Sequence, residues 1–219
     1  MTPAKSALLL ALALALSHTS DDVLAQVAVQ PAAPANAAAT VTPKPLRSPD
    51  VMYVPTPTEV VSAMLTVAGA GKGDVLYDLG SGDGRIPITA VQKFNVTRAT
   101  GIEINPERIQ EAQANLSAAG VGDRVQFRNE DLFEAKFSDA TIVTLYLLPA
   151  LNVKLLPKLL ADLKPGTRIV SHAFAMGDWK PKQTLNVGGR SVYFWVIPEK
   201  GTPDYAAAMA VAKAGGGNN

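Results

Sequence analysis

Between Asp50 and Pro198 short apolar runs alternate with longer amphipathic ones, and this alternation restricts the fold more than any other feature. "DVLYDL", "ATGIEI", "RVQFRN", "ATIVTLYL" and "TRIVSHAF" read as strands bounded by turn residues. "TPTE" (Thr56 to Glu59) predicts a capping box with proline at the first helical position, opening a helix through "VVSAMLTVA". "RIPITAVQKF" predicts a second helix, with Pro87 close enough to its start to be tolerated. "NPERIQEAQANLSAAG" takes Asn105 as its cap and Gly120 as its stop, and "LNVKLLPKLLADL" predicts a helix bent at Pro157. "QTLNVGGRSVYFWVI" closes the run as two strands about a Gly-Gly turn. Strands alternating with helices imply an α/β fold, a doubly wound Rossmann-like parallel sheet with right-handed crossovers. The hairpin adds an antiparallel edge.

The flanks differ in kind. "MTPAKS", the apolar "ALLLALALAL" (Ala7 to Leu16) and "VLA" before Gln26 match the three regions of a secretory signal over residues 1–25. An apolar run from Ala7 to Leu16 is too short for a hydrocarbon core that needs about 20 residues. The expectation is an exported chain, periplasmic or secreted. A start at Met52 would instead give a cytoplasmic form. Residues 26–49 are rich in proline and alanine and read as a tether. Residues 199–219 read as a low-complexity tail, leaving 50–198 as the folded domain.

Composition mainly excludes. The chain has no cysteine, so disulfides, thiolate metal sites and a cysteine nucleophile are ruled out. Two histidines, His18 and His172, are too few for a histidine-based metal cluster, and no metal is expected. A formal charge of +1 implies no basic face for nucleic acid.

The chemistry gathers at strand ends. "YDLGSGDGR" places Gly80, Ser81, Gly82 and Gly84 directly behind a strand that ends at Asp78. In wound sheets ligands sit outside the carboxyl ends of the strands. The dinucleotide fingerprint wants a third glycine where Arg85 stands, and no phosphate-loop lysine follows. Glu103, 25 residues after Asp78, ends the next strand and can accept both hydroxyls of a ribose. Asp131 follows the third strand and can accept an adenine amino proton, with Ile104 and Leu132 as apolar faces for the ring. Three acids at three strand ends, with no phosphate-binding feature, describe a nucleoside carrying a cationic or zwitterionic tail.

Over Tyr53 to Ile197 this arrangement resembles the class I S-adenosylmethionine-dependent methyltransferases. The glycine turn together with Glu103 and "NEDLF", each after its own strand, carries the resemblance. "MYVPTPTEVV", "DLGSGDGRI", "TLYLLP" and "KPGTRIVSHAFAMGDW" look more narrowly like the small lysine methyltransferases related to the mitochondrial enzymes acting on the ATP synthase c-subunit and the adenine nucleotide translocase. The resemblance implies S-adenosylmethionine as cofactor and a protein lysine as acceptor. It implies that Tyr53, Pro55 and Thr56 fold over the cofactor, with Thr56 near its methionine end. Tyr146 and Pro149 match the place where amine methyltransferases keep a proline–tyrosine segment, so Tyr146 is expected to line the acceptor channel. Tyr146 as strand-end packing and Thr56 as a plain helix cap are the competing readings. Trp179 reads either as a wall of the substrate entrance or as packing. His172 reads as a hydrogen-bonded residue at the core edge. Two other functions stay open: an exported binding protein on this fold, and methylation of a small amine or a nucleic acid.

Overall fold

The computed structural model describes residues 46–216. The proposed signal, and the tether up to residue 45, lie outside them. Seven strands form one sheet in the order β3-β2-β1-β4-β5-β7-β6. They are β1 (Val75–Leu79), β2 (Arg98–Glu103), β3 (Val125–Asn129), β4 (Ile142–Leu145), β5 (Arg168–His172), β6 (Gln183–Val187) and β7 (Arg190–Val196). The first five are mutually parallel, while β7 runs antiparallel to both β5 and β6. Chain order reverses between β1 and β4, so a crevice opens above their carboxyl ends. This is the doubly wound Rossmann-like sheet with a closing hairpin that the alternation predicts. At the hairpin tip Gly188 and Gly189 both have positive φ, 58° and 82°, the pairing a two-residue primed turn requires.

The central strands are apolar on both sides because helices cover both faces. Helices α1 (Thr58–Val67), α2 (Arg85–Phe94) and α3 (Pro106–Ala119) pack over Leu76, Ile142 and Val170. On the opposite face α4 (Pro149–Asp162) and α5 (Pro203–Gly216) pack over Tyr77, Val143, Leu145 and Ile169. Leu76, Ile142, Leu145 and Ile169 are fully buried, each worth about 1.5–3 kcal/mol of transfer free energy. Helix α3 starts as its sequence predicts: Asn105 Oδ1 accepts from Glu107 N at 2.8 Å, Pro106 follows, and Gly120 ends it in a left-handed turn.

Two expectations fail. The capping box does not form, for Pro57 is the cap and carries no side-chain bond, while the Thr56 hydroxyl turns away to His172. The folded domain also runs past Pro198. Residues Pro203–Gly216 form α5, and Ala208 and Ala212 are buried against the α4 side of the core. Alanine-rich sequence reads as low complexity, yet alanine is the strongest helix former and lets two helices approach closely. No helix among the described residues is long and apolar enough to cross a membrane.

Candidate active site

The turn after β1 folds back over β2. Gly80 N and Ser81 N both donate to the Ile102 carbonyl, at 2.8 and 3.0 Å, and Gly84 N donates to Ser81 O at 2.9 Å. Gly82 N donates to Glu103 Oε2 at 2.9 Å, and Asn105 N donates to Oε1 of the same carboxylate at 2.9 Å. The amides of Gly80, Ser81, Gly82 and Gly84 are therefore spent inside the protein. The glycines serve a different need, close packing of protein on protein. A β-carbon on Gly82 would meet the Tyr53 ring at 2.2 Å, and one on Gly84 would meet the Phe127 ring at 2.3 Å. Gly82 and Gly84 do not line the cleft, although the sequence pointed to them.

Ten of the expected residues do line it together. Tyr53, Thr56, Asp78, Gly80, Ser81, Glu103, Ile104, Asp131, Leu132 and Tyr146 border one cleft with about 910 Å³ of free space, its solvent mouth included. That is the size of a small-molecule site. Sequence reasoning missed Arg47, Asp83, Arg85, Asn105 and Arg108, which also line it. Arg47 and Arg108 carry no local signal, because their roles depend on contacts distant in the chain.

Residues 46–57 cross the cleft as a strap with three anchors. Arg47 Nε and Nη2 donate to the Asp131 carboxylate at 2.5 and 3.1 Å. Tyr53 lies against Gly82, with the Arg108 guanidinium 5.1 Å over its ring. Arg85 Nη1 donates to Thr56 O at 2.9 Å while its Nη2 pairs with Asp83 at 2.6 Å. Burial alone would raise the Asp131 and Asp83 carboxyls, but hydrogen bonds from Arg47 and Arg85 bring both below the ordinary range. Burial, then the Asp83 charge, pushes the Tyr53 hydroxyl up to about 12.

Asp78 sits deepest. Its Oδ1 accepts from Thr144 Oγ1 at 2.7 Å. Burial pushes this carboxyl up to about 7, the Thr144 bond opposes the rise, and the nearby Glu103 and Asp83 charges add to it. At the other end Tyr146 packs on His172, ring centroids 3.9 Å apart, and on Phe174 at 6.2 Å. Trp179 is not at the entrance. It is buried against Trp195, whose Nε1 donates to the Trp179 carbonyl at 3.0 Å.

These residues fit a cationic nucleoside. Asp78, Asp83, Glu103 and Asp131 converge on one cleft, and a buried hydroxyl there, Ser81 Oγ, has no hydrogen-bond partner in the protein. Buried hydroxyls without partners mark places where a ligand supplies the missing bond. Asp78 and Tyr53 would hold the amino-acid end of S-adenosylmethionine, Glu103 its ribose, and Ile104 and Leu132 its base. Glu103→Ala is expected to weaken S-adenosylmethionine binding ~10–100-fold, since it removes the ribose acceptor and frees two backbone donors. Calorimetric titration checks this, and equal affinity would place the ribose elsewhere.

Comparison with known proteins agrees. The ANTKMT methyltransferase domain matches residues 78–183. A "Protein-lysine N-methyltransferase" of Saccharolobus islandicus is 49% identical, covering 69% of this chain and 96% of that protein. An "Adenine nucleotide translocase lysine N-methyltransferase" of Mus musculus is 31% identical over 72% of this chain and 67% of its own length. A crystal structure from Salinibacter ruber, described as an RNA methyltransferase in complex with S-adenosyl-L-homocysteine, is 53% identical with a TM-score of 0.67, covering 69% of this chain and 99% of that one. By these likenesses the chain belongs to the S-adenosylmethionine-dependent methyltransferases of the ANTKMT methyltransferase domain family.

Proposed function

We propose that the chain transfers the methyl group to the side-chain amine of a protein lysine. The observation that carries this reading is Tyr146, half-buried at the end of β4, lining the cleft and backed by His172 and Phe174. The Saccharolobus relative, at 49% identity, supports it. When bound, S-adenosylmethionine supplies an electrophilic methyl group on a sulfonium. The protein's part is alignment and removal of water. A lysine loses its proton with a reference pKa near 10.4, and every unit by which its surroundings lower that value is worth about 1.4 kcal/mol. Leu147 and Leu151, which line the cleft beside Tyr146, strip water from an incoming amine and favour its neutral form. The Tyr146 hydroxyl accepts an N–H of that amine and turns its lone pair toward the methyl carbon.

The Salinibacter structure raises a second reading, methylation of RNA. The formal charge of +1 weighs against it, because phosphate binding asks for an excess of basic side chains. Incubating the full chain with labelled cofactor and a cell lysate separates the two. Label on protein lysine is expected, and label confined to RNA or small molecules overturns the proposal. Tyr146→Phe should lower the labelling rate about 3–10-fold with cofactor affinity unchanged, the signature of a bond made mainly in the transition state. Tyr146→Ala should cost more.

A further inference from the structure

His172 ends β5 with 1% of its surface exposed, and two contacts account for a polar ring in that place. Its Nδ1 lies 3.2 Å from Thr56 Oγ1, and its ring packs on Tyr146 at 3.9 Å and 37°. Thr56 and Tyr146 are 90 residues apart in sequence, and both line the cleft. The Thr56 main chain is already held by Arg85 Nη1, so His172 supplies the contact that orients its side chain. Phe174 supports the Tyr146 ring with a near-parallel contact at 22°. We propose that His172 is a positioning residue for methyl transfer, a neutral imidazole whose Nδ1 accepts from the Thr56 hydroxyl while its ring face backs Tyr146.

The charge state follows from the surroundings. Burial, then the positive charge of Arg190 on β7, pushes His172 down to about 4. A neutral imidazole carries one donor and one acceptor nitrogen. With Nδ1 accepting, the Thr56 proton points at His172 and the hydroxyl lone pairs are left for an ammonium or an amine N–H in the cleft. A protonated ring would donate from both nitrogens and reverse that polarity. One side chain therefore sets the direction of the Thr56 hydroxyl and the plane of the Tyr146 ring.

The catalytic part of this inference rests on the lysine reading, and the tautomer does not. The full chain labelled with ¹⁵N-histidine gives signals from two residues, His18 and His172. The His172 Nδ1 is expected to show the shift of an unprotonated acceptor nitrogen near neutral pH, and Thr56→Val should move that signal. A protonated Nδ1, or a signal indifferent to Thr56→Val, overturns the proposal. His172→Phe keeps an aromatic face and loses the hydrogen bond, whereas His172→Asn offers a side-chain acceptor without the ring. Each should slow label transfer to lysate protein about 3–10-fold at saturating cofactor, with S-adenosylmethionine affinity unchanged. Adding Thr56→Val to His172→Phe should cost less than the two separate losses combined, because both remove the same bond. A purely structural histidine would lower the melting temperature and leave the transfer rate of the folded variants intact. Transfer to RNA alone would overturn the lysine reading and leave the tautomer result standing.

Discussion

Gly82→Ala is expected to lower S-adenosylmethionine affinity on the order of 100-fold while the domain stays folded. Gly82 has φ +52°, a left-handed conformation that costs an L-residue roughly 1–2 kcal/mol. The added β-carbon would also stand 2.2 Å from Tyr53 Cε2 and 2.6 Å from Cδ2, so the tyrosine must leave. Its departure takes the strap off the cleft and loosens the loop whose Gly82 amide Glu103 holds. The core beneath is untouched, since the atoms nearest the added β-carbon all belong to the Tyr53 ring and none to the buried Leu76, Leu79 or Ile102. Calorimetric titration and thermal melting together check the result. Unchanged affinity would mean that the strap plays no part in binding.

The second large effect is a trade between stability and function at Asp78. Its carboxyl titrates near 7 in the folded chain against an ordinary value of 3.8. Between those values the folded state keeps a proton that the unfolded state has lost. Stability therefore falls as pH rises through this window and levels off above about 7. At about 1.4 kcal/mol per unit, the ionised form costs on the order of 4 kcal/mol at pH 8. Asp78→Asn resembles the protonated acid and can still accept from Thr144 Oγ1. It should melt well above the wild type at pH 8, with the gap closing toward pH 4. The same change removes the deepest charge facing the cofactor and should weaken its binding ~10–100-fold. Calorimetry at pH 5 and pH 8 reads the first effect, and titration reads the second. A variant no more stable at pH 8 than at pH 5, relative to wild type, would show that Asp78 is ionised without cost.

Much of the site was legible because its logic is local. Asp78 and Glu103 lie at the carboxyl ends of recognisable strands and Asp131 just beyond a third, and a parallel sheet brings the carboxyl ends of neighbouring strands to one edge. Asn105 and Gly120 bound α3 by bonds within a few residues, so they too could be read directly. Thr56 misled for the same reason. "TPTE" satisfies a local capping rule, but His172, 116 positions away, competes for the hydroxyl and wins. Arg47 gave no signal at all, because an arginine in a proline-rich stretch acquires meaning only from Asp131.

The glycines divide the two kinds of information most clearly. Sequence alone determined that a turn of Gly80, Gly82 and Gly84 follows β1, since glycine takes the positive φ found there without steric cost. It also determined the alternation that makes the wound sheet, and with it the edge where the acids meet. What stands on the far side of each glycine was decided by tertiary packing: Leu147 at Gly80, Tyr53 at Gly82, and Phe127 with Ala112 at Gly84. The same holds for the strap over the cleft, for His172 between Thr56 and Tyr146, and for α5 on α4. Backbone conformation depends on neighbours along the chain and is written locally. Side-chain partners are selected by what the folded sheet brings within a few ångströms, so only the tertiary structure decides them.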